Sequence, residues 1–437
     1  MTGKRAGWRA ALVCGTASLF CFLQFMLQGA PGMFVPALMD DLSISPAQIG
    51  FISSAFVCTY MVCQVPAGLM IDRWGARWAM FVALLAITLG CLLFSWADTW
   101  QMAVLGRMLM GVAAAAGITG CMYLAGNWYP AAWFPLIAGI IEMVAMLGGG
   151  AGSVMLETYD GQWRSAFLDM AVLAAAIAIA IALFVRDRPA FARDKNLNDP
   201  DESDPQALGL VDTLGKLMHL PVFWICAFYG GVIYALISSF AQLWCIPYLN
   251  SLYPECPRQV AEGTALIFLG LAVGTPLCGM MASLTGKNKP VLVGGAVLVA
   301  VAMWVVMYQP LSLLGMSAIL FFMGLASGSY ALVYGAVRNV VCSRIRATAI
   351  ALLNALMLLG SPLFQPVSGW LLDRALASQG TLDATSYQVA MLPLLACMLL
   401  SIPLCFLINE QRPKRPARRL RHAHVWIVRG KWLNCIR

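Results

Sequence analysis

Apolar stretches of about twenty residues recur from one end of this chain to the other, and a helix of that length crosses the roughly 30 Å hydrocarbon core of a bilayer. Twelve can be read, at approximately 10–38, 49–70, 78–97, 101–126, 134–156 and 164–185, then 221–249, 262–284, 290–308, 311–337, 346–371 and 387–408. The runs are continuously apolar rather than alternating with period two, which speaks for helices over barrel strands, since a spanning segment must satisfy its own backbone groups. Composition agrees: of 437 residues 61% are hydrophobic and 11% charged, against roughly 25% charged in an ordinary soluble domain. The expected fold class is an all-α membrane protein of six helices plus six.

Lys and Arg gather in alternate connections, among them Arg9, Arg73, Arg77, Arg186, Lys287, Arg338 and Arg344. The other connections hold only Arg164, Arg258 and Arg374 beside acids such as Asp40, Asp41, Glu157 and Asp383. Positive loops stay in the cytoplasm, so both termini are expected there, in an inner (cytoplasmic) membrane. Lys4 and Arg5 precede the first run, which continues through Phe34 to Leu38; that is too long for a cleaved signal peptide. Most of the 14 cysteines lie inside runs, where a thiol acts as a small apolar group, and only Cys256 stands clearly in an outer loop, so no disulfide framework is expected.

The domains expected are an N-terminal six-helix bundle over 1–185, a polar linker over 186–220, a C-terminal bundle over 221–408 and a basic tail over 409–437. The linker carries prolines and the acidic run Asp199, Asp201, Glu202, Asp204, a composition that reads as flexible. Repeat pairs join the halves: at an offset of 211 Pro36 meets Pro247, Gly68 meets Gly279 and Gly75 meets Gly286, and at 212 Gly148 meets Gly360 and Glu142 meets Asn354. Such pairs are what parallel duplication of a six-helix unit would leave.

After the second run stand Gly68, Leu69, Met70, Ile71, Asp72, Arg73, Trp74, Gly75, Ala76 and Arg77. Gly75 suits a tight turn and Gly68 the close approach of a helix, while Asp72 can meet a helix N-terminus or a cation. Gly68, Asp72, Arg73, Gly75 and Arg77 are therefore a candidate conformational latch. Their spacing resembles the signature loop between the second and third helices of the major facilitator superfamily. In span number, linker and orientation nearly the whole chain is similar to that family's bacterial twelve-helix members. The resemblance implies a secondary transporter with two pseudo-symmetric six-helix bundles and alternating access. Arg107, followed by Gly111, is similar to the family's Arg in the fourth helix, which implies substrate binding or proton coupling, with outward snorkelling or pairing with a structural acid as the alternatives. Two departures stand out: Ser283 replaces the acid in the second half's equivalent loop, and the fifth run's Gly148, Gly149, Gly150 and Gly152 lack the proline of the antiporter signature.

An acid deep in an apolar run is costly to ionise, so Glu142 is the candidate for proton coupling, with a structural neutral carboxyl as the alternative. Arg107 and Glu142 differ in depth by very roughly 10–15 Å at 1.5 Å per residue, so no direct pair is expected. Asn354, beside the Gly360, Ser361 and Pro362 break, is a candidate cavity residue. Gln24, Gln28, Tyr234 and Gln242 lie in helices that line the cavity in the resembled family, which implies the same here. Asp169 and Arg338, near the ends of their runs, are candidate gate residues, with interfacial snorkelling and topological anchoring as the alternatives.

The expected activity is proton-coupled movement of a small polar or anionic solute, such as a carboxylate or an amino acid. Efflux of an amphipathic compound, or a sensor of the same fold without transport, are the alternatives. His219, His422 and His424 are the only histidines and leave no dyad or metal cluster inside the membrane, so no enzyme is expected. No nucleotide-binding loop is present and no cofactor is expected. The partners expected are the solute, a proton or other coupling ion, and membrane lipid, with the chain a monomer. The basic tail, interleaving Trp426 and Trp432, suits an anionic leaflet rather than nucleic acid.

Overall fold

A computed structural model describes residues 2–130, 133–187, 217, 219–341 and 346–408. The expected linker, apart from Arg186, Asp187, Leu217, His219 and Leu220, lies outside the described residues, as do Arg344 and the basic tail. Among the described residues there are eleven helices long and apolar enough to cross a membrane. One of them, Pro46–Ser95, has 50 residues, about 75 Å of helix at 1.5 Å per residue, which is two crossings. Gly75 breaks it with φ 79° and ψ 159°, a conformation open to glycine. Twelve helical crossings result among the described residues, and the chain is a multi-pass membrane protein.

The first span, Thr2–Met33, resumes as Val35–Leu42 after a break at Phe34, where Pro36 removes a helical donor. The second and third spans are the arms of Pro46–Ser95, and the fourth to sixth are Trp100–Trp128, Phe134–Glu157 and Trp163–Phe184. The seventh is Pro221–Ala235, then a π-helical stretch Leu236–Trp244, then Cys245–Leu252. The eighth and ninth are Pro257–Thr285 and Lys289–Tyr308. The tenth runs through Leu313–Ser327, a 3-10 turn Gly328–Ala331 and Leu332–Val340. The eleventh, Arg346–Leu358 and Gly360–Gln379, is offset at Leu359, and Ala384–Phe406 is the twelfth. At the start of that last helix Asp383 accepts bonds from Thr385 and Ser386, which hold its carboxyl down at about 2 and keep the cap charged at neutral pH.

The repeat reappears in packing. A side chain at Gly148 of the fifth span would collide with the Phe22 carbonyl of the first, and one at Gly360 of the eleventh with the Gly231 carbonyl of the seventh. These are equivalent helix pairs of the two halves, drawn together by missing side chains. Gly75 and Gly286 both have positive φ. Gly68 corrects the sequence expectation: nothing lies within 4 Å of a Cβ there or at its repeat counterpart Gly279, so neither seats a neighbouring helix in this conformation.

Candidate functional site

The bundle has a termini face, where Thr2 begins the first span and Phe406 ends the last, and an opposite face. Near the opposite face the two halves meet through backbone. Side chains at Gly50 of the second span and Gly369 of the eleventh would strike the Gln365 and Pro46 carbonyls of the other half. Gly32 of the first span seats the Gln242 carbonyl of the seventh, and Gly149 and Gly150 of the fifth lie against Phe268 and Ala265 of the eighth.

Asp373 closes this seal electrostatically. Its carboxylate accepts from the Ser45 hydroxyl at 3.0 Å and from the Ala47 backbone N–H at 3.1 Å. Ser45 is the N-cap of the second span and Pro46 its first residue, so a carboxylate of one half completes the helix start of the other. Sequence reading overlooked this residue. Its signal was the stretch Gly369, Trp370, Leu371, Leu372, Asp373, Arg374, which repeats the spacing of Gly68 to Arg73.

Between this seal and the termini face, polar side chains at the junction of the halves stay only half-buried, which leaves a polar cleft there. Gln28 Nε2 donates to the Tyr234 hydroxyl across the halves at 3.1 Å. Farther toward the termini face, Tyr334 donates to Asn354 Oδ1 at 2.8 Å and Asn354 Nδ2 to Gln64 Oε1 at 3.2 Å. That second bridge between the halves runs through side chains alone. Tyr60, Tyr234, Tyr330, Tyr334, Gln64 and Asn354 are half-buried. Glu142, also half-buried, lies about 12 Å along the fifth span from Phe134. It has no ion pair or hydrogen-bond partner among the described residues. Tyr60, Gln64, Tyr330 and Tyr334 had no sequence signal beyond being polar in apolar runs.

The other expected residues fall elsewhere. Arg107 is fully buried: it donates to the Leu27 carbonyl at 2.6 Å and the Gln28 carbonyl at 3.2 Å and lies 4.7 Å over the Phe56 ring. It thereby fixes the backbone that carries Gln28, and it makes no pair with Glu142. Gln24 is buried beside Tyr60 and Gly117. Gln242 is 6% exposed within the seal, with both amide atoms unpartnered, and it lines a small cavity there with Gly29, Ser153 and Phe268.

Asp72 and Arg73 are exposed at the termini face without an ion pair among the described residues. The anchored part of their loop is Gly75 to Arg77. Asp187 accepts from the Arg77 backbone N–H at 2.9 Å and occupies the space a side chain at Gly75 would need, and the Arg77 guanidinium donates to the Ala182 carbonyl. Asp187, at the edge of the expected linker, was not foreseen. In the second half Ser283 donates to the Gly279 carbonyl of its own helix. Asp169 is exposed and accepts from the Tyr159 hydroxyl at 2.6 Å, which with burial pushes that phenol up to about 12. Arg338 is exposed in the last turn of the tenth span.

Known proteins share this architecture. The chain is 24% identical over 212 residues to the hexuronate transporter of Escherichia coli K12, 46% of this chain and 49% of that one. It is 26% identical over 176 residues to the galacturonate transporter of Dickeya chrysanthemi, 39% of this chain and 50% of that one. The matches thus span at most half the length of those relatives. A bacterial homologue of the human lysosomal transporter Spinster, solved inward-facing and unoccupied, superposes with a TM-score of 0.74 at 17% identity, over 92% of this chain and 97% of that one. The inward-open xylose transporter of E. coli does so at 0.70 and 12%, over 93% and 98%. At those identities the likeness is one of fold. The family model described as Major Facilitator Superfamily matches residues 17–253 and 257–433, nearly the whole chain, and the protein belongs to that superfamily of membrane transporters.

Proposed function

We propose that this chain is a secondary active transporter that moves a small polar solute by alternating access, with a proton carried on Glu142. One observation carries the reading: backbone contacts weld the halves near the opposite face, whereas near the termini face the Asn354–Gln64 amide bridge joins them beside a half-buried polar cavity. By the charge of the loops the termini face is cytoplasmic, so this conformation is closed to the outside. The halves, residues 1–185 and 221–408, rock against each other, and a monomer contains the whole cavity.

A carboxyl group with no fixed counter-ion at mid-membrane depth loses its proton only when water or a cation reaches it. Glu142→Gln is therefore expected to abolish uphill accumulation in proteoliposomes under a proton gradient. Exchange across the same membrane continues, at a higher half-saturating solute concentration, because exchange needs no net proton movement. Accumulation by the Gln variant would leave Glu142 a structural group.

The loop at Gly75 sets how readily the halves interconvert. Gly75→Val, which forces a branched side chain into a positive-φ site against Asp187, and Asp72→Asn are each expected to slow initial uptake roughly tenfold at equal membrane levels, about 1.4 kcal/mol on the barrier. Ser283→Ala should change little. Normal rates in both loop variants would remove the latch.

A further inference from the structure

We infer that the seal on the opposite face contains a binding site for one water molecule, held by Gln242 and Ser153, and that this water lets a carboxamide sit inside the closed interface. The site belongs to the seal and is the same whatever solute the chain carries; only its population readout rests on the alternating-access reading.

The cavity that Gln242 lines lies at the junction of four spans, two from each half. Met26, Gly29 and Met33 come from the first span, Ser153 from the fifth, Gln242 from the seventh and Phe268 from the eighth. It has room for about one water. Two glycines of the first span show why the space is there. At Gly32 a side chain would strike the Gln242 backbone carbonyl, so the two backbones meet directly. At Gly29, one turn earlier, a methyl would reach the Gln242 Cγ at 3.5 Å, an ordinary contact. Close packing thus requires a glycine at 32 but not at 29, where the missing side chain becomes cavity.

What this space takes follows from its walls. None of the residues lining it is charged, so neither a cation nor an anion meets a counter-charge there. Gln242 is the polar group most in need of a partner: it is 6% exposed, and neither its Oε1 nor its Nε2 has a hydrogen-bond partner among the described residues. A buried amide left in that state is destabilising. Ser153, 9% exposed, donates to the Gly149 carbonyl at 3.3 Å and keeps lone pairs with which to accept. A water between them accepts from Nε2 and donates one hydrogen to Oε1 of the same amide and the other to Ser153 Oγ. Those are three bonds, the usual number for a buried water. When the halves part, bulk water takes its place, so the amide is solvated in both conformations.

The test is an experimental structure of the full chain in nanodiscs, closed on the opposite face and at a resolution that shows ordered water, determined in sodium buffer and again in choline buffer. The expected result is one density peak within hydrogen-bond distance of Gln242 and Ser153, unchanged between the buffers. Absence of the peak overturns the inference, and so does a peak that vanishes without sodium, which would belong to a cation. Substitutions then read the energetics, each variant being first checked for the wild-type melting profile. Gly29→Ala puts a methyl into the water's space and leaves the amide unpaired. The ratio of closed to open molecules, read from spin-label distances across the opposite face, should fall about tenfold or more. Gln242→Met, unbranched and apolar at similar length, needs no water and should keep that ratio, and combined with Gly29→Ala it should restore it. A merely steric effect of the methyl would persist in the double variant, and that persistence overturns the inference. Labels fixed at one separation in every variant, beside a clear peak, defeat alternating access and uphold the water site.

Discussion

Replacing Gly369 by leucine is expected to hold the opposite face open and to cut solute flux by about a hundredfold. The glycine lies against the Pro46 carbonyl and the Ala47 backbone of the other half, and Gly50 lies against Gln365 and Pro366 in the same manner. A side chain there meets backbone, which cannot rotate away, and overpacking of that kind costs about 3 kcal/mol, a factor of roughly a hundred in the population of the closed state. Both contacts run between the halves, so each half keeps its own packing and the variant should insert at normal levels. Gly148→Leu is the contrast. Its clash with Phe22 lies inside the first half, and it should lower the yield of folded protein instead. Flux in proteoliposomes, with the separation of spin labels at Thr99 and Ser251, which are exposed on the opposite face of each half, checks both. Unchanged flux and separation in Gly369→Leu would show that the glycine contact does not govern closure.

The second large effect is expected at Asp373. Its carboxylate accepts from the Ser45 hydroxyl and the Ala47 N–H at the start of a helix that belongs to the other half, so its bonds among the described residues stabilise the closed opposite face. Charge-assisted bonds of this type contribute up to about 3 kcal/mol when buried, and half-exposure reduces that to about 1–2 kcal/mol. Asp373→Ala should therefore shift the closed-to-open ratio by roughly 5 to 30-fold, read from the label populations. Arg374 next to it stacks on Trp370 at 3.9 Å and is exposed, so Arg374→Gln should leave the ratio alone. An equal shift in both variants would mean that local charge, rather than the shared helix cap, sets the balance.

The number of crossings was legible because hydropathy over about twenty residues is set by the bilayer and by nothing subtler. Gly75 was legible because few residues but glycine accept the turn it makes. The site was only partly so. A helix apolar on every face carries no periodicity to say which face meets which neighbour, so Gly50 and Gly68 look alike in sequence, though one is pressed against the other half and the other faces open space. The same uniformity hid the π-helical Leu236–Trp244 and the part that the Gln242 carbonyl plays in the seal. Arg107 was readable as an expensive buried charge, but its partners are backbone carbonyls, which every helix has and no sequence pattern distinguishes. Asp187 stood in a polar stretch where one more acid carries no signal.

The two closures of the cavity are built of different material. Glycine-seated backbone can part only when whole helices move, on microseconds or longer, whereas an amide bridge such as Asn354–Gln64 yields by side-chain rotation in nanoseconds. In the conformation described here, the cavity is therefore an annex of the compartment on the termini side, filling and emptying with it many times for each excursion of the helices. The solute carried across on any one excursion is a sample of that compartment's composition at that moment.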